Sequence, residues 1–336
     1  MGSNLKDVAA LAGVSVKTVS NVVNGYVHVS AATRERVQRA IDELGYRPNA
    51  TARSLRSGRS GVLALAVPEL GVPYFAELAS LVVDAAAAHG YTVLIDQTAG
   101  AKDRELVVLG GIRHHLVDGV LFSPLALGVA DLRRRTDSTP MVLLGERGLR
   151  GPTDHVGIDN IRAAREATRH LAERGCRRIA AIGVQSVGTG ATARQRYAGY
   201  RKGLDDAGLD LDPALVLPAP RFHRAEGYAA MASLLELPDP PDGVFCFNDL
   251  LALGALRCLH TRGVPVPEQV ALIGFDDAEE SSYATPSLST IAPDKAAIAT
   301  TAVELLLSRI RAGEPPEAPR RVTAGYTLIA RESSAR

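Results

Sequence analysis

Four short apolar runs end in polar residues able to grip a small molecule. Ser123 follows GVLF (119–122), Glu146 and Arg147 follow MVLL (141–144), Asn248 and Asp249 follow GVFCF (243–247), and Asp276 and Asp277 follow VALIGF (270–275). Carboxylates accept hydrogen bonds from hydroxyls or amines, an amide offers donor and acceptor together, and a guanidinium adds a planar fork of donors. A second set sits near the N-terminus, where Val16, Lys17, Thr18, Ser20 and Asn21 mix short polar side chains with one base, a set suited to base edges and phosphates. The chemistry in both places is binding. The signatures of an enzyme are missing: no GxGxxG follows a strand, no GxxxxGK[ST] or GxSxG occurs, and the glycines of GVQSVGTG (183–190) lack dinucleotide spacing. The adjacent His114 and His115 point to different faces of a helix and do not converge on a metal. No catalytic residue, metal or cofactor is therefore expected.

The elements that position the N-terminal set read as crossed helices. In LKDVAALAGVSVKTVSNVV, Val8, Ala9 and Ala12 share one helical face and Val19 and Val22 the next. Gly13 permits the positive φ of a tight turn, and Ser15 is suited to cap the second helix. Ser30 opens a third amphipathic helix with Val37, Ala40, Ile41 and Leu44 at helical spacing and Gly45 as the stop. A plain helical hairpin is the alternative, and the third helix argues for a three-helix domain instead. The segment that follows, YRPNATARSLRSGRSG, is too short and too weakly apolar for independent helicity and needs a partner chain and a DNA surface to order it.

After Gly61 short apolar runs alternate with helix-length segments: VLALAV (62–67), YTVLI (91–95), GVLF, MVLL, then RIAAIG, ALVL (214–217), GVFCF and VALIGF. The alternation predicts two doubly wound lobes with parallel sheets, in which ligands collect at the carboxyl ends of strands. A last strand is expected over VTAGYTLIA.

Charge divides along the same line. Residues 1–60 hold nine Lys/Arg against four Asp/Glu, a balance of +5, and the remaining 29 against 33 leave −4. A basic head on a mildly acidic body meets a polyanion with its N-terminus. Three cysteines without CxxC spacing indicate neither a disulfide framework nor a zinc site. The opening residues do not read as an export signal and no apolar stretch reaches membrane-spanning length, so a cytoplasmic protein with no membrane partner is expected. The absence of an export signal and the presence of the basic head also argue against an exported solute-binding protein.

Three linked motifs, DVAxxAGVSxxTVSxVVN, VSxxTRxRVxxAxxELGYxPN and ARSLRSGRS, resemble the lactose-repressor and galactose-repressor (LacI/GalR) family. The resemblance continues through VGIDNIRAAREATRHLAERGCRRIAAI, TARQRYAGYRKGL, FNDLLALGAL and VALIGFDD. It implies an all-α helix-turn-helix head at 1–47, a hinge helix and linker at 48–60, and an α/β periplasmic-binding-protein-like sensor at 61–332. The N-lobe would take in 61–159 and 291–319, and the C-lobe 160–290 and 320–332. It further implies a sequence-specific transcriptional regulator, a repressor, acting as a homodimer on double-stranded, near-palindromic operator DNA under control of a small-molecule effector, a sugar or related metabolite. Leu5, Ser15, Val16, Lys17, Thr18, Ser20, Asn21, Asn24, Tyr46, Asn49, Ala52, Arg53 and Leu55 would face DNA, with Leu55 as an apolar wedge in the minor groove. Asn21 departs from the arginine some members carry at the end of the reading motif, which bears on operator sequence. Tyr74, Phe75, Ser123, Glu146, Arg196, Phe222, Asn248 and Asp276 would hold the effector. Each has a plainer alternative: a solvated helix arginine for Arg196, a cap or turn for Asn248 and Asp276, a core position for Phe222. The chain ends without a leucine heptad, which favours a dimer over a tetramer.

Overall fold

The computed structural model describes residues 3–336 apart from 24–25, 27, 47–58, 112–115, 146–151, 186–189 and 314–317. The chain divides into two compact units, Met1–Ser60 and Gly61–Arg336.

In the first unit, α1 (Leu5–Ala12) starts at Asn4, whose side chain accepts from the Lys6 and Asp7 amides while Asp7 takes the Asn4 amide, a reciprocal capping box. Gly13 follows at φ 64°, the left-handed turn expected there. The Ser15 hydroxyl then accepts from the Thr18 amide at 3.1 Å and starts α2 (Val16–Val23). Ser30 caps α3 (Ala31–Glu43). Val8, Ala9, Ala12, Val19, Val22, Val37, Ala40 and Tyr46 form one core.

The second unit holds two six-stranded sheets. The first runs β11–β5–β4–β3–β1–β2 and the second β12–β10–β9–β8–β6–β7. The strands of the first sheet are β1 (Val62–Val67), β2 (Thr92–Gln97), β3 (Gly119–Phe122), β4 (Met141–Leu144), β5 (Asp154–Gly157) and β11 (Arg321–Thr323). The second sheet contains β6 (Ile179–Val184), β7 (Val216–Pro218), β8 (Gly243–Cys246), β9 (Ala271–Phe275), β10 (Ser289–Pro293) and β12 (Tyr326–Ile329). Every pairing is parallel except that of β12 with β10. Helices fill both faces: α4 (Pro73–Ala87), α5 (Lys102–Leu109) and α6 (Val129–Arg133) belong to the N-lobe. The C-lobe carries α7 (Asn160–Glu173), α8 (Ala191–Asp206), α9 (Arg224–Leu235), α10 (Asp249–Thr261) and α11 (Glu279–Tyr283). The long α12 (Lys295–Ala312) returns to the N-lobe and packs on α4, β3, β4 and β5. This is the helical head with two doubly wound lobes read from the sequence.

Three details differ from that reading. The strands DHVG and STIAP escaped it because each opens on polar residues, and those are satisfied far along the chain: Asp154 by Arg309, Ser289 by the tail at Arg331 and Ser334. The run VTAGYTLIA is not one strand. It breaks at Ala324–Gly325, leaving β11 in the first sheet and β12 in the second. Consequently 291–293 stay in the C-lobe sheet and 321–323 in the N-lobe sheet, which moves the expected 291–319 crossing to 294–323. The three crossings lie side by side, with the Ala324 amide donating to Gly157 O at 2.8 Å and the Asp294 amide to Gly325 O at 3.0 Å.

Candidate functional site

On the exposed side of α2, Val16 is 42% accessible and Lys17 is exposed, with Thr18 and Asn21 half-buried. Ser15 spends its hydroxyl on the cap and remains exposed, and Leu5 is half-buried. Two of the expected contact residues are largely buried in the head. Ser20 follows Val19 into the buried stripe of α2, and Tyr46 closes the core of the head. Both are small-scale consequences of packing three short helices, which draws residues next to the apolar stripe into the interior. Asn24, Asn49, Ala52, Arg53 and Leu55 lie outside the described residues.

Between the two lobes of the second unit is a cavity of about 340 Å³, within the range of small-molecule sites. The carboxyl ends of the strands and the first turns of the helices beyond them supply its walls, and Tyr74, Phe75, Ser123, Arg196, Phe222, Asn248 and Asp276 all line it. Glu146 lies outside the described residues. The N-lobe wall is mostly apolar: Phe75 stands edge-on to the buried Tyr74 with ring centroids 5.2 Å apart, beside Leu125 and Leu144. Glu69 and the buried Ser123 are its polar contributions.

The C-lobe wall is a hydrogen-bonded block. Arg196, on α8, is 2% exposed and therefore no solvated helix arginine. Its Nε donates to Asn160 Oδ1 at 2.9 Å, one terminal nitrogen donates to the Phe247 carbonyl, and the other lies 3.4 Å from Asp276 Oδ1. The guanidinium carbon sits 3.5 Å over the Phe275 ring, a cation–π contact on the fourth side. Asn248 caps α10 by accepting from the Leu251 amide at 2.9 Å and donates to Phe222 O at 3.1 Å, so its role as a cap coexists with a place in the cavity wall. Asp276 and Asp277 have φ of 109° and 51°, and Ala99 in the opposite wall 55°. Non-glycine residues held in that region mark functional sites.

Beneath this wall the fully buried Asp249 accepts from the Ala278 amide, the Ser281 hydroxyl and the Thr290 hydroxyl at 2.8, 2.9 and 2.7 Å. Burial pushes its carboxyl up to about 6 against the pull of those hydrogen bonds, with the Asp277 charge adding to the rise. Its counterpart under the N-lobe is Asp154. Burial pushes it upward as well, but the hydrogen bonds from Arg309 and the Arg320 amide and the two positive charges outweigh that and hold it below the usual carboxylate range.

Sequence reasoning missed Asn160, which orients Arg196, although it too follows a short strand, DHVG. It also missed Glu69 and His223, paired at 3.1 Å from opposite walls of the cavity. Among the described residues no group of three metal-ligating side chains exists, and no helix is long and apolar enough to cross a membrane.

A helix-turn-helix head joined to a two-lobed body with a central cavity defines a ligand-responsive DNA-binding regulator. Residues 4–49 match the model of bacterial regulatory proteins of the lacI family, and 168–334 that of the periplasmic binding protein-like domain. The HTH-type transcriptional repressor PurR of Aliivibrio salmonicida is 34% identical over 313 residues, 92% of each chain. The structure of the transcriptional regulator CelR in complex with cellobiose is 35% identical, covers 98% of this chain and 99% of its own, and superposes with a TM-score of 0.72. The lac repressor dimer bound to operator and the anti-inducer ONPF is 25% identical with a TM-score of 0.87, covering both chains fully. The chain belongs to the lacI family of bacterial regulatory proteins. It is a DNA-binding transcriptional regulator controlled by a small-molecule effector, not an enzyme.

Proposed function

We propose that the effector is a neutral ring compound rich in hydroxyls, a sugar or related metabolite, held between the lobes by Arg196 and Asp276 on one side and Tyr74, Phe75 and Phe222 around it. The observation that carries this reading is the pairing of charge in the wall. Arg196 is matched by Asp276 and Arg221 by Glu226, and the Glu69 carboxylate lies 3.1 Å from His223. A phosphate or carboxylate ligand favours unmatched cations and donors alone, whereas a hydroxyl needs donor and acceptor side by side. Ser123, Thr192, Asn248 and Asp276 supply such mixed partners around the cavity. A thermal-shift panel of sugars, nucleosides and their phosphorylated forms tests it, because a ligand bound only by the folded chain raises its melting temperature. Stabilisation by the neutral compounds supports the reading, and stabilisation by the phosphorylated forms alone would sink it.

The regulator acts in the cytoplasm as a homodimer on a near-palindromic operator, each head presenting α2 to one half-site. Leu94 and Ile95 on the edge strand β2 and Val83 on α4 are each 38–41% exposed, apolar side chains on an open sheet edge and its flanking helix that a second copy would cover. Sedimentation velocity of the full chain, and of Ile95→Asp, checks the assembly: a dimer is expected in the first and monomer in the second. Selection of duplexes from a random pool yields the operator, and Lys17→Ala is expected to weaken its binding.

A further inference from the structure

The dipeptide Asp276–Asp277 has two sides. The Asp276 carboxylate belongs to the cavity wall through Arg196. The backbone carbonyls of both residues face the other way and accept from Lys295 Nζ at 3.0 and 2.9 Å. Lys295 is the first residue of α12, which packs on the N-lobe, and its ammonium also pairs with Glu77 on the N-lobe helix α4. The second oxygen of Glu77 accepts a long hydrogen bond, 3.4 Å, from the Glu279 amide on the C-lobe. One ammonium and one carboxylate therefore join three chain segments, two on the N-lobe and the 276–279 stretch of the C-lobe, with 218 residues separating the ion-pair partners.

We propose that Glu77 and Lys295 are positioning residues that fix the angle between the lobes, and that they do so through the backbone of the residue whose side chain meets the ligand. The link to effector response rests on the cleft reading above; the latch itself does not. An ammonium is required by this geometry. Its three protons match three acceptors, Glu77 and the two carbonyls, and a carboxylate in its place has none to give. The left-handed φ of Asp276 and Asp277 is what turns both carbonyls toward Lys295 while the Asp276 side chain stays in the wall. A ligand that moves the carboxylate moves the latch with it, a two-state element biased from the binding site.

The test uses the ligand-free full chain, spin-labelled at Arg104→Cys on α5 and Lys202→Cys on α8, both exposed positions. The three native cysteines are buried, with thiol pKa values raised chiefly by burial, so labelling is confined to the introduced sites. Labelled chain is diluted in unlabelled chain so that only distances within one chain are read by double electron–electron resonance. One narrow distance is expected for the parent. Glu77→Ala and Lys295→Met are expected to broaden it and add a second, longer distance, and Lys295→Arg, which keeps donors for all three acceptors, to recover most of the parent distribution. The exchanged pair Glu77→Lys with Lys295→Glu keeps the ion pair but loses the donors to the carbonyls, and is expected to stay broad. Glu77 is a third exposed and its variant folds even where Lys295→Met does not. A parent-like distribution in folded Glu77→Ala, or recovery in the exchanged pair, overturns the latch. Failure of the thermal-shift panel overturns the cleft reading and leaves this result unaffected.

Discussion

The two lobes share a sheet order but build their halves of the cavity differently. The N-lobe offers mainly Tyr74, Phe75, Leu125 and Leu144, a largely apolar surface to which Ser123 and Glu69 add the polar groups. The C-lobe offers Arg196, Asn248 and Asp276, each already bound to other groups of the same lobe. Packing follows suit. Neither α4 nor α12 contains glycine, whereas Gly227 on α9 and Gly254 on α10 leave room only for backbone: a Cβ on either would lie 2.1 Å from Leu251 O or 2.0 Å from Arg224 O. A wall locked by its own hydrogen bonds fixes orientation, and an apolar wall adapts to the face of whatever enters.

The sharpest way to break this contrast is Arg196→Met. It keeps bulk but removes the donor from Asn160, Phe247 O and Asp276 together. Loss of one partner of a buried ion pair costs about 3–5 kcal/mol, read as a lower urea midpoint at unchanged slope. A loss below about 1 kcal/mol, the level of an exposed pair, would show the wall to be loose. Next in size is a difference in pH response. Asp249 has a carboxyl raised to about 6 from an ordinary 3.8, so the folded state binds its proton more tightly than the unfolded state does. Its contribution is therefore favourable below that window and is lost as pH rises through it, by roughly 3 kcal/mol between pH 4 and 6. Asp154 has the opposite sign: lowered in the folded state, it stabilises at neutral pH and that contribution is lost on acidification. Urea unfolding from pH 2 to 7 should thus show Asp154→Asn losing on the parent as pH rises through the range below about 4, and Asp249→Asn gaining on it between about 4 and 6. Parallel curves would count against the assignment.

Gly254→Ala comes third. The added methyl meets the Arg224 carbonyl and the Tyr228 amide nitrogen, backbone that cannot rotate away. Overpacking of this kind costs about 1–3 kcal/mol. Calorimetry should show a lower melting temperature, with the head's own transition unmoved.

How much of this was legible in the sequence depended on distance along the chain. The head was readable because its caps, its turn glycine and its apolar stripe lie within a few residues of one another; the burial of Ser20 and Tyr46 was not, because a three-helix core reaches beyond strict periodicity. Ser123, Asn248 and Asp276 were reached by one geometric rule, since side chains after parallel strands converge whichever residues they are, whereas Tyr74, Phe75, Arg196 and Phe222 came only from the family resemblance. Asn160 obeys that rule and was overlooked because its strand, opening on Asp154, did not look apolar. The polar strand ends, the break at Ala324–Gly325 and the Glu77–Lys295 pair draw their stability from partners tens to more than two hundred residues away, and no local pattern encodes them.

The smallest effect on the fold should come from the adaptable wall, and it separates the walls most cleanly. Phe75 is half-buried and touches Tyr74 edge-on, so Phe75→Ala gives up an aromatic pair worth about 1 kcal/mol and little else. Its ligand contact is a different matter, since a ring compound in the cavity would lose one of its apolar faces. With any neutral compound that raises the parent's melting temperature, Phe75→Ala should weaken binding about tenfold, a 1.4 kcal/mol change, while preference among stereoisomers stays as it was. Titration calorimetry with two epimers of the same sugar makes the comparison. If specificity resides in the Arg196–Asp276 block, the affinity ratio of the epimers survives the loss of Phe75; a ratio that collapses would move discrimination to the N-lobe wall and reverse the contrast between the lobes.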